Sequence, residues 1–395
     1  MSNTITSIGT AVVPAGNCTQ THIIYAVNSA RYWAFYIDTT NVNQIKCKYS
    51  SDTVSWTAST SFTTTNNFDS DGREFSCDYK NISSTDVVHF VFTQQSPSND
   101  GTFYVRATIS GTTISYGSQG QIDTSAPDNS LAHPSGVDIV IDTNNRPTVG
   151  TTWNTTAGSD FGAYIASNAD TGSSWTVGYA AGSNLDPTLT NFNNACHLEA
   201  LTGDNKLAMW ENGAATEPNS MTNVRWSKYD GSTWSTAADV FTVLGAGVSP
   251  NNYGVCALST SDIHCVLRTG TNTYTHKRFN GTDWSTVSGA AITNQNSLAG
   301  GGLAMASDGT SVWLFIIDTD APNTVRYCTW TSNSWSAWTA LESTTKTRSF
   351  ISCCPNVQSG NVLVGWSQTN GANNDFVSGL LTVTTTIESR SLYLL

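Results

Sequence analysis

The chain has 395 residues, of which 12% are charged, about half the usual share, so its polar surface falls to Ser, Thr, Asn and Gly. Seventeen Lys plus Arg against 29 Asp plus Glu give a formal net charge of −12, which excludes the basic stripe that a nucleic-acid partner requires. No stretch reaches the roughly eighteen apolar residues of a membrane span, and Met1-Ser2-Asn3-Thr4-Ile5-Thr6 lacks the basic segment and apolar core of an export signal.

Period-two alternation of apolar and polar residues, broken by Gly, Asn, Asp and Pro, predicts strands from end to end, without helical periodicity. Residues 1–14 hold a lone strand, Thr4 to Val13. A first unit of four short strands spans 15–66, with His22 on its first strand and Trp56 after its last turn. The second spans 67–127 with Asp78 and Tyr116, and the third 128–186 with Asp138, Trp153 and Trp175. The fourth, 187–245, carries His197, Glu199, Trp210, Glu211, Trp226 and Trp234. In the fifth, 246–294, strands are expected at Tyr253 to Leu258, Ile263 to Arg268, Tyr274 to Phe279 and Trp284 to Val287. In the sixth, 295–345, they are expected at Gly302 to Ala306, Ser311 to Ile317, Thr324 to Trp330 and Trp335 to Thr339. The seventh, 346–386, shows only three: Phe350 to Cys354, Val362 to Ser367 and Phe376 to Val383. The tail, 387–395, ends in Leu392-Tyr393-Leu394-Leu395 and reads as an outer strand or an attachment segment.

The units share a turn followed by an aromatic residue. Lys228-Tyr229-Asp230-Gly231-Ser232-Thr233-Trp234 and Arg278-Phe279-Asn280-Gly281-Thr282-Asp283-Trp284 are the clearest copies, and Trp56, Tyr116, Trp175, Trp234, Trp284 and Trp335 mark steps of 60, 59, 59, 50 and 51 residues. Gly after Asp or Asn supplies the positive φ of a tight primed turn between third and fourth strands, and the aromatic ring anchors it. This repeat implies one all-β domain: a seven-bladed β-propeller of four-stranded antiparallel blades. Pairing of the N-terminal strand with the last blade would close the ring and remove an open edge.

Chemistry can be sought in one column of the first strands. His22, Asp78, Asp138 and His197, continued by Cys256, Ala304 and Cys354, recur at the blade interval and belong at one height around the axis. His and Asp converging there are adequate ligands for a structural divalent metal; small polar groups around a wet channel are the alternative, and no other cofactor is implied. Glycoside hydrolysis needs two carboxylates, and Glu199 with Glu211 is the best local pair. Trp33, Trp153, Trp210, Trp226, Trp313, Trp338 and Trp366 lie outside the turn anchors. They serve either as platforms for sugars, with Trp153, Trp210 and Trp226 the leading candidates, or as core between blades. Nine cysteines form no CxxC. Cys256 and Cys265 flank a hairpin turn symmetrically, as a disulfide or as two small buried residues.

Asn168-Ala169-Asp170-Thr171-Gly172-Ser173-Ser174-Trp175 resembles the Asp-box of sialidase-like propellers, and the shorter motifs ending at Trp234 and Trp284 are similar to repeats of propeller lectins. The Asp-box is a structural turn in that family, and the Arg-Ile-Pro-like segment of sialidases has no counterpart here. The resemblance therefore implies the fold and leaves catalysis unassigned. The weakly charged Thr/Asn/Ser surface and the absence of an export signal point to a non-enzymatic propeller displayed on a virion or another extracellular surface, such as a phage-type fibre, decoration or receptor-binding protein. Its expected partners are glycans and other virion or surface proteins, including copies of itself, without membrane insertion. An exported sialidase-like glycoside hydrolase and a soluble lectin are the alternatives.

Overall fold

A computed structural model describes residues 5–10, 22–39, 41–64, 67–68, 75–94, 101–122, 133–155, 158–165, 184–189, 196–214, 217–242, 252–270, 272–287, 292, 295, 302–319, 324–342, 344, 346–371 and 373–383. The Asp-box segment with Trp175, and the tail 387–395, lie outside them. Among the described residues every hydrogen-bonded element is a strand, and the strands group into seven antiparallel sheets. The architecture is that of a β-propeller with four-stranded antiparallel blades.

In chain order the innermost strand of each sheet is Ile23–Ala26, Phe75–Ile82, His133–Ile141, Cys196–Ala200, Tyr253–Ser259, Leu303–Ser307 and Arg348–Cys353. In the fifth sheet Asp262–Gly270, Thr273–Phe279 and Trp284–Thr286 follow outward, within two residues of the expected bounds. The seventh sheet takes its outermost strand from the other end of the chain: Ile5–Gly9 pairs antiparallel with Asn373–Thr382, Ile5 opposite Gly379 and Thr6 opposite Ser378.

Alternation along each strand sends its apolar residues into the seams between sheets. The first and second sheets meet through Trp33, Phe35, Phe90 and Phe92, with the Phe35 and Phe90 rings edge to face at 4.8 Å. Met209 and Trp226 of the fourth sheet pack on Tyr253 and Phe279 of the fifth. Ile8, Leu363 and Phe376 of the seventh pack on Ile23, Ala34 and Tyr36 of the first. This last seam depends on Gly365, where a Cβ would lie 2.7 Å from Ile23 Cδ1 and 2.8 Å from the Phe376 ring.

The turn chemistry differs from expectation. Asp230 Oδ1 accepts from the amides of Ser232 (2.9 Å) and Thr233 (2.8 Å), and Asn280 Oδ1 accepts from those of Thr282 and Asp283 (both 2.9 Å). Only the glycine is left-handed in each loop, Gly231 at φ 96° and Gly281 at φ 94°, so these are four-residue loops nucleated by an Asx side chain. Two-residue turns with both φ positive occur instead at Ser332-Asn333 and at Ser83-Ser84, without glycine. The rings behind the loops pair across the hairpin: Tyr229 with Trp234 at 5.3 Å, Phe279 with Trp284 at 5.5 Å and Trp330 with Trp335 at 5.6 Å.

Cys256 and Cys265 are free thiols and do not face each other. A bulge between Ala257 and Ser259 places Cys256 opposite His264 and Cys265 opposite Val255. A one-residue slip puts the two sulfurs on opposite faces of the sheet, so Cys256 packs towards the sixth sheet and Cys265 towards the fourth.

Candidate functional site: the axial column

The innermost strands bring the column residues to successive seams, and each group is engaged there. His22 Nε2 donates to the Phe75 carbonyl at 3.1 Å, and its ring stacks on Phe75 at 4.3 Å. The Asp78 carboxylate accepts from the amides of Tyr79 and, across the next seam, Ile141, both at 2.7 Å. Asp138 accepts from the Ser76 hydroxyl on one side (2.7 Å) and from the Leu198 amide on the other (2.9 Å). Further round, Ser307 Oγ donates to Ala257 O at 2.6 Å, and Cys353 Sγ donates to Met305 O at 3.0 Å. These bonds tie neighbouring innermost strands together from the first sheet to the fourth and from the fifth to the seventh.

One part of it gathers charge. His197 Nδ1 lies 3.3 Å from Asp138 Oδ2, and its Nε2 lies 3.6 Å from Glu199 Oε2. Burial disfavours the imidazolium, but the Asp138 and Glu199 carboxylates outweigh it and raise the His197 pKa to about 9. At neutral pH the group is a cation between two carboxylates. Elsewhere burial wins: it lowers His22 to about 4 against the pull of the Phe75 carbonyl, and raises Asp78 to about 7 against its two amide donors.

This arrangement is not that of a Ser-His-Asp triad. There a histidine stands between hydroxyl and carboxylate, whereas the Ser76 hydroxyl bonds Asp138 directly. Glu199 sits opposite Leu207, four residues from Glu211 on the next strand, so their backbone positions are about 13 Å apart along the sheet. Glu211 is also fully buried. Among the described residues no group of three His, Cys, Asp or Glu side chains is arranged to hold a metal ion.

The tryptophans divide by burial. Trp33, Trp210 and Trp366 are completely enclosed, and Trp226 and Trp313 are core residues as well. Trp153 lies on the strand Pro147–Thr155, with its side chain outside the described residues. Trp338 is half-buried, against Tyr274 of the neighbouring sheet.

Two polar clusters escaped the reading of the sequence. His89 Nδ1 lies 2.6 Å from the Tyr104 hydroxyl inside the second sheet. Between the fifth and sixth sheets, Trp335 Nε1 donates to His276 Nδ1 at 3.3 Å, and His276 Nε2 lies 2.8 Å from His264 Nδ1. An indole N–H can only donate, so it fixes the neutral tautomers: His276 donates to His264, and His264 Nε2–H points at Asp262 Oδ1, 3.2 Å away. The signal was present as equal parity. Asp262, His264, Val266 and Arg268 share one face of their strand, and Tyr274, His276 and Arg278 continue it on the next.

No family model and no curated protein matches the chain. Solved structures do. An ulvan lyase representing a new polysaccharide lyase family is 9% identical and superposes with a TM-score of 0.58 over 97% of this chain and 96% of its own. The polysaccharide lyase Uly1 is 9% identical, with a TM-score of 0.55 over 94% of this chain and 91% of its own. The SapL1 lectin, in complex with alpha-methyl fucoside, is 14% identical, with a TM-score of 0.50 over 84% of this chain and 97% of its own. At such identities the likeness is one of fold, and it agrees with the propeller architecture.

Proposed function

We propose that this chain is a carbohydrate-binding propeller without hydrolytic activity, displayed on a virion or another extracellular surface. The observation that carries the non-hydrolytic part is the engagement of the axial carboxylates: Asp78 and Asp138 hold neighbouring innermost strands together, and Glu211 is fully buried. The carbohydrate part draws its support from the solved structures of like fold, two of which are polysaccharide lyases and one a lectin holding a fucoside. The frame we infer is a ring of seven blades closed by the N-terminal strand. Support for it comes from the pairing of Ile5–Gly9 with Asn373–Thr382 and from the apolar seam between the seventh and first sheets.

The test is a glycan array covering neutral, fucosylated and uronate-containing oligosaccharides, together with assays for fluorogenic glycoside cleavage and for the unsaturated products of a lyase. Saturable binding without turnover is expected. Turnover abolished by Glu199→Gln or Glu211→Gln would overturn the non-hydrolytic reading. Recovery of the chain in purified particles tests the placement on a virion, and its absence from them would remove that part.

A further inference from the structure

The chain holds three Asn-Gly pairs, Asn212-Gly213, Asn280-Gly281 and Asn370-Gly371. Such a pair carries a latent reaction, because glycine puts no side chain in the way when its amide nitrogen turns on the carbonyl of the preceding asparagine side chain. The fold treats the three differently. Asn212 lies within the strand Lys206–Ala214, opposite Asn223, where the ladder holds the backbone extended. Asn370 closes a hairpin opposite Asn373, and its Nδ2 donates to Asp375 Oδ2 at 2.7 Å. Asn280 stands exposed in the loop between the third and fourth strands of the fifth sheet.

The Asn280 loop favours attack at the side-chain carbon Cγ. Its Oδ1 accepts from the Thr282 and Asp283 amides, both at 2.9 Å, as an oxyanion does from a pair of backbone donors. The twin loop shows what such a pair does to charge. In the same place Asp230 Oδ1 accepts from the Thr233 and Ser232 amides, and these bonds lower the Asp230 pKa to about 2. Lys228 Nζ, 2.9 Å from the Gly281 carbonyl oxygen, adds a cation beside the reacting residues. Among the described residues no hydrogen bond ties up the Gly281 amide or Asn280 Nδ2. Asn370 has the opposite setting, a carboxylate at its side-chain amide, which resists the build-up of negative charge.

We propose that Asn280 is a site of self-modification, at which the Gly281 amide nitrogen attacks Asn280 Cγ and the side-chain nitrogen leaves as ammonia, with water as the only co-reactant. The Gly281 N–H proton passes to hydroxide as the new N–Cγ bond forms. The Cγ–Nδ2 bond then breaks, Nδ2 takes a proton from water, and a five-membered imide remains. Water opens the imide at one carbonyl or the other, leaving aspartate or isoaspartate at position 280. No oxidant or reductant is involved. The aspartate keeps the loop, since Asp230 nucleates its twin. The isoaspartate routes the main chain through the former side chain, displaces the Gly281 carbonyl and releases Lys228, a tie between the fourth and fifth sheets. Either product adds one negative charge to an exposed loop. This inference is independent of the carbohydrate-binding reading.

The full chain, kept for weeks at neutral and at mildly alkaline pH in water enriched in heavy oxygen and sampled by peptide mapping with mass spectrometry, tests it. Asn280 converts first, about tenfold or more faster than Asn212 and Asn370, with uptake of one labelled oxygen and a mixture of aspartate and isoaspartate. The rate rises with pH, because the attacking nitrogen must lose its proton, and a more acidic species grows in on ion exchange. In guanidinium chloride the three pairs lose their different settings and convert at similar rates. Gly281→Ala slows the conversion about tenfold or more, since the added Cβ hinders the attack. Thermal unfolding confirms that this variant is folded, and the comparison of the three wild-type pairs stands alone if it is not. A folded chain in which Asn280 stays intact, or converts no faster than Asn370, overturns the proposal. So does a preference for Asn280 that persists undiminished in the denaturant, because the fold would then have no part in it.

Discussion

At the scale of single residues, buried imidazoles decide how this protein answers pH. Burial lowers the pKa of His22 to about 4 and of His89 and His276 to about 3, with neighbouring cationic groups adding to burial for the last two. Their folded values lie below the unfolded value of about 6.5. The stability they contribute is present above pH 6.5 and is lost as pH falls towards their folded pKa values. His197, raised to about 9 because Asp138 and Glu199 outweigh its burial, has the opposite sign: its contribution is complete below pH 6.5 and disappears as pH rises through 9. Asp78, raised to about 7 by burial, also favours the folded state less as pH rises from about 4 to 7. Urea denaturation between pH 4 and 10 should therefore show losses at both ends, with the alkaline loss absent in His197→Gln. An unchanged alkaline limb in that variant would show that the cation is not held between the two carboxylates. None of this was legible in the sequence. The interval placed His22, Asp78, Asp138 and His197 in one column, but their bonds run across seams to residues about 60 positions away.

At the scale of the element, what was local was readable. Alternation and turn residues located the strands of the fifth unit and the first three of the sixth closely, because side-chain direction and turn chemistry are set within a few positions. The expected strand Trp335 to Thr339 is instead split into Ser334–Trp335 and Thr339–Glu342. The misreadings have local causes too. One bulge near Leu258 turned an apparent Cys256–Cys265 pair into two thiols on opposite faces. An Asx side chain, rather than a primed pair of residues, nucleates the loops at Asp230 and Asn280. Since Asp and Asn accept the same two amides in the two loops, Asn280→Asp is expected to leave the thermal midpoint unchanged. Gly231→Ala, forced to hold φ near 96°, is expected to cost about 1–2 kcal/mol in equilibrium denaturation. A neutral Gly231→Ala would mean that the loop relaxes to another form.

At the scale of the whole molecule, the two ends of the chain share a sheet. Ile5–Gly9 covers the free edge of Asn373–Thr382, and Ile8 is fully buried in the seam with the first sheet. A chain lacking residues 1–10 should expose that edge, since an unpaired strand is a template for association. Light scattering after size-exclusion chromatography should show oligomers or aggregates of the truncated chain, and the thermal midpoint should fall. A monodisperse truncation of unchanged midpoint would contradict closure by this strand. The sequence announced this pairing because the last unit lacked a strand and the first residues had one to spare.

As proposed, the scaffold binds a saccharide and leaves it intact. Its most direct test is equilibrium binding of the wild-type chain to a panel of neutral and acidic oligosaccharides, with the same samples then analysed for chain length by mass spectrometry. Saturable binding of at least one saccharide, with every one recovered at its starting length, is the predicted result. Shortened or unsaturated products that depend on the protein, or no binding across the panel, would contradict it.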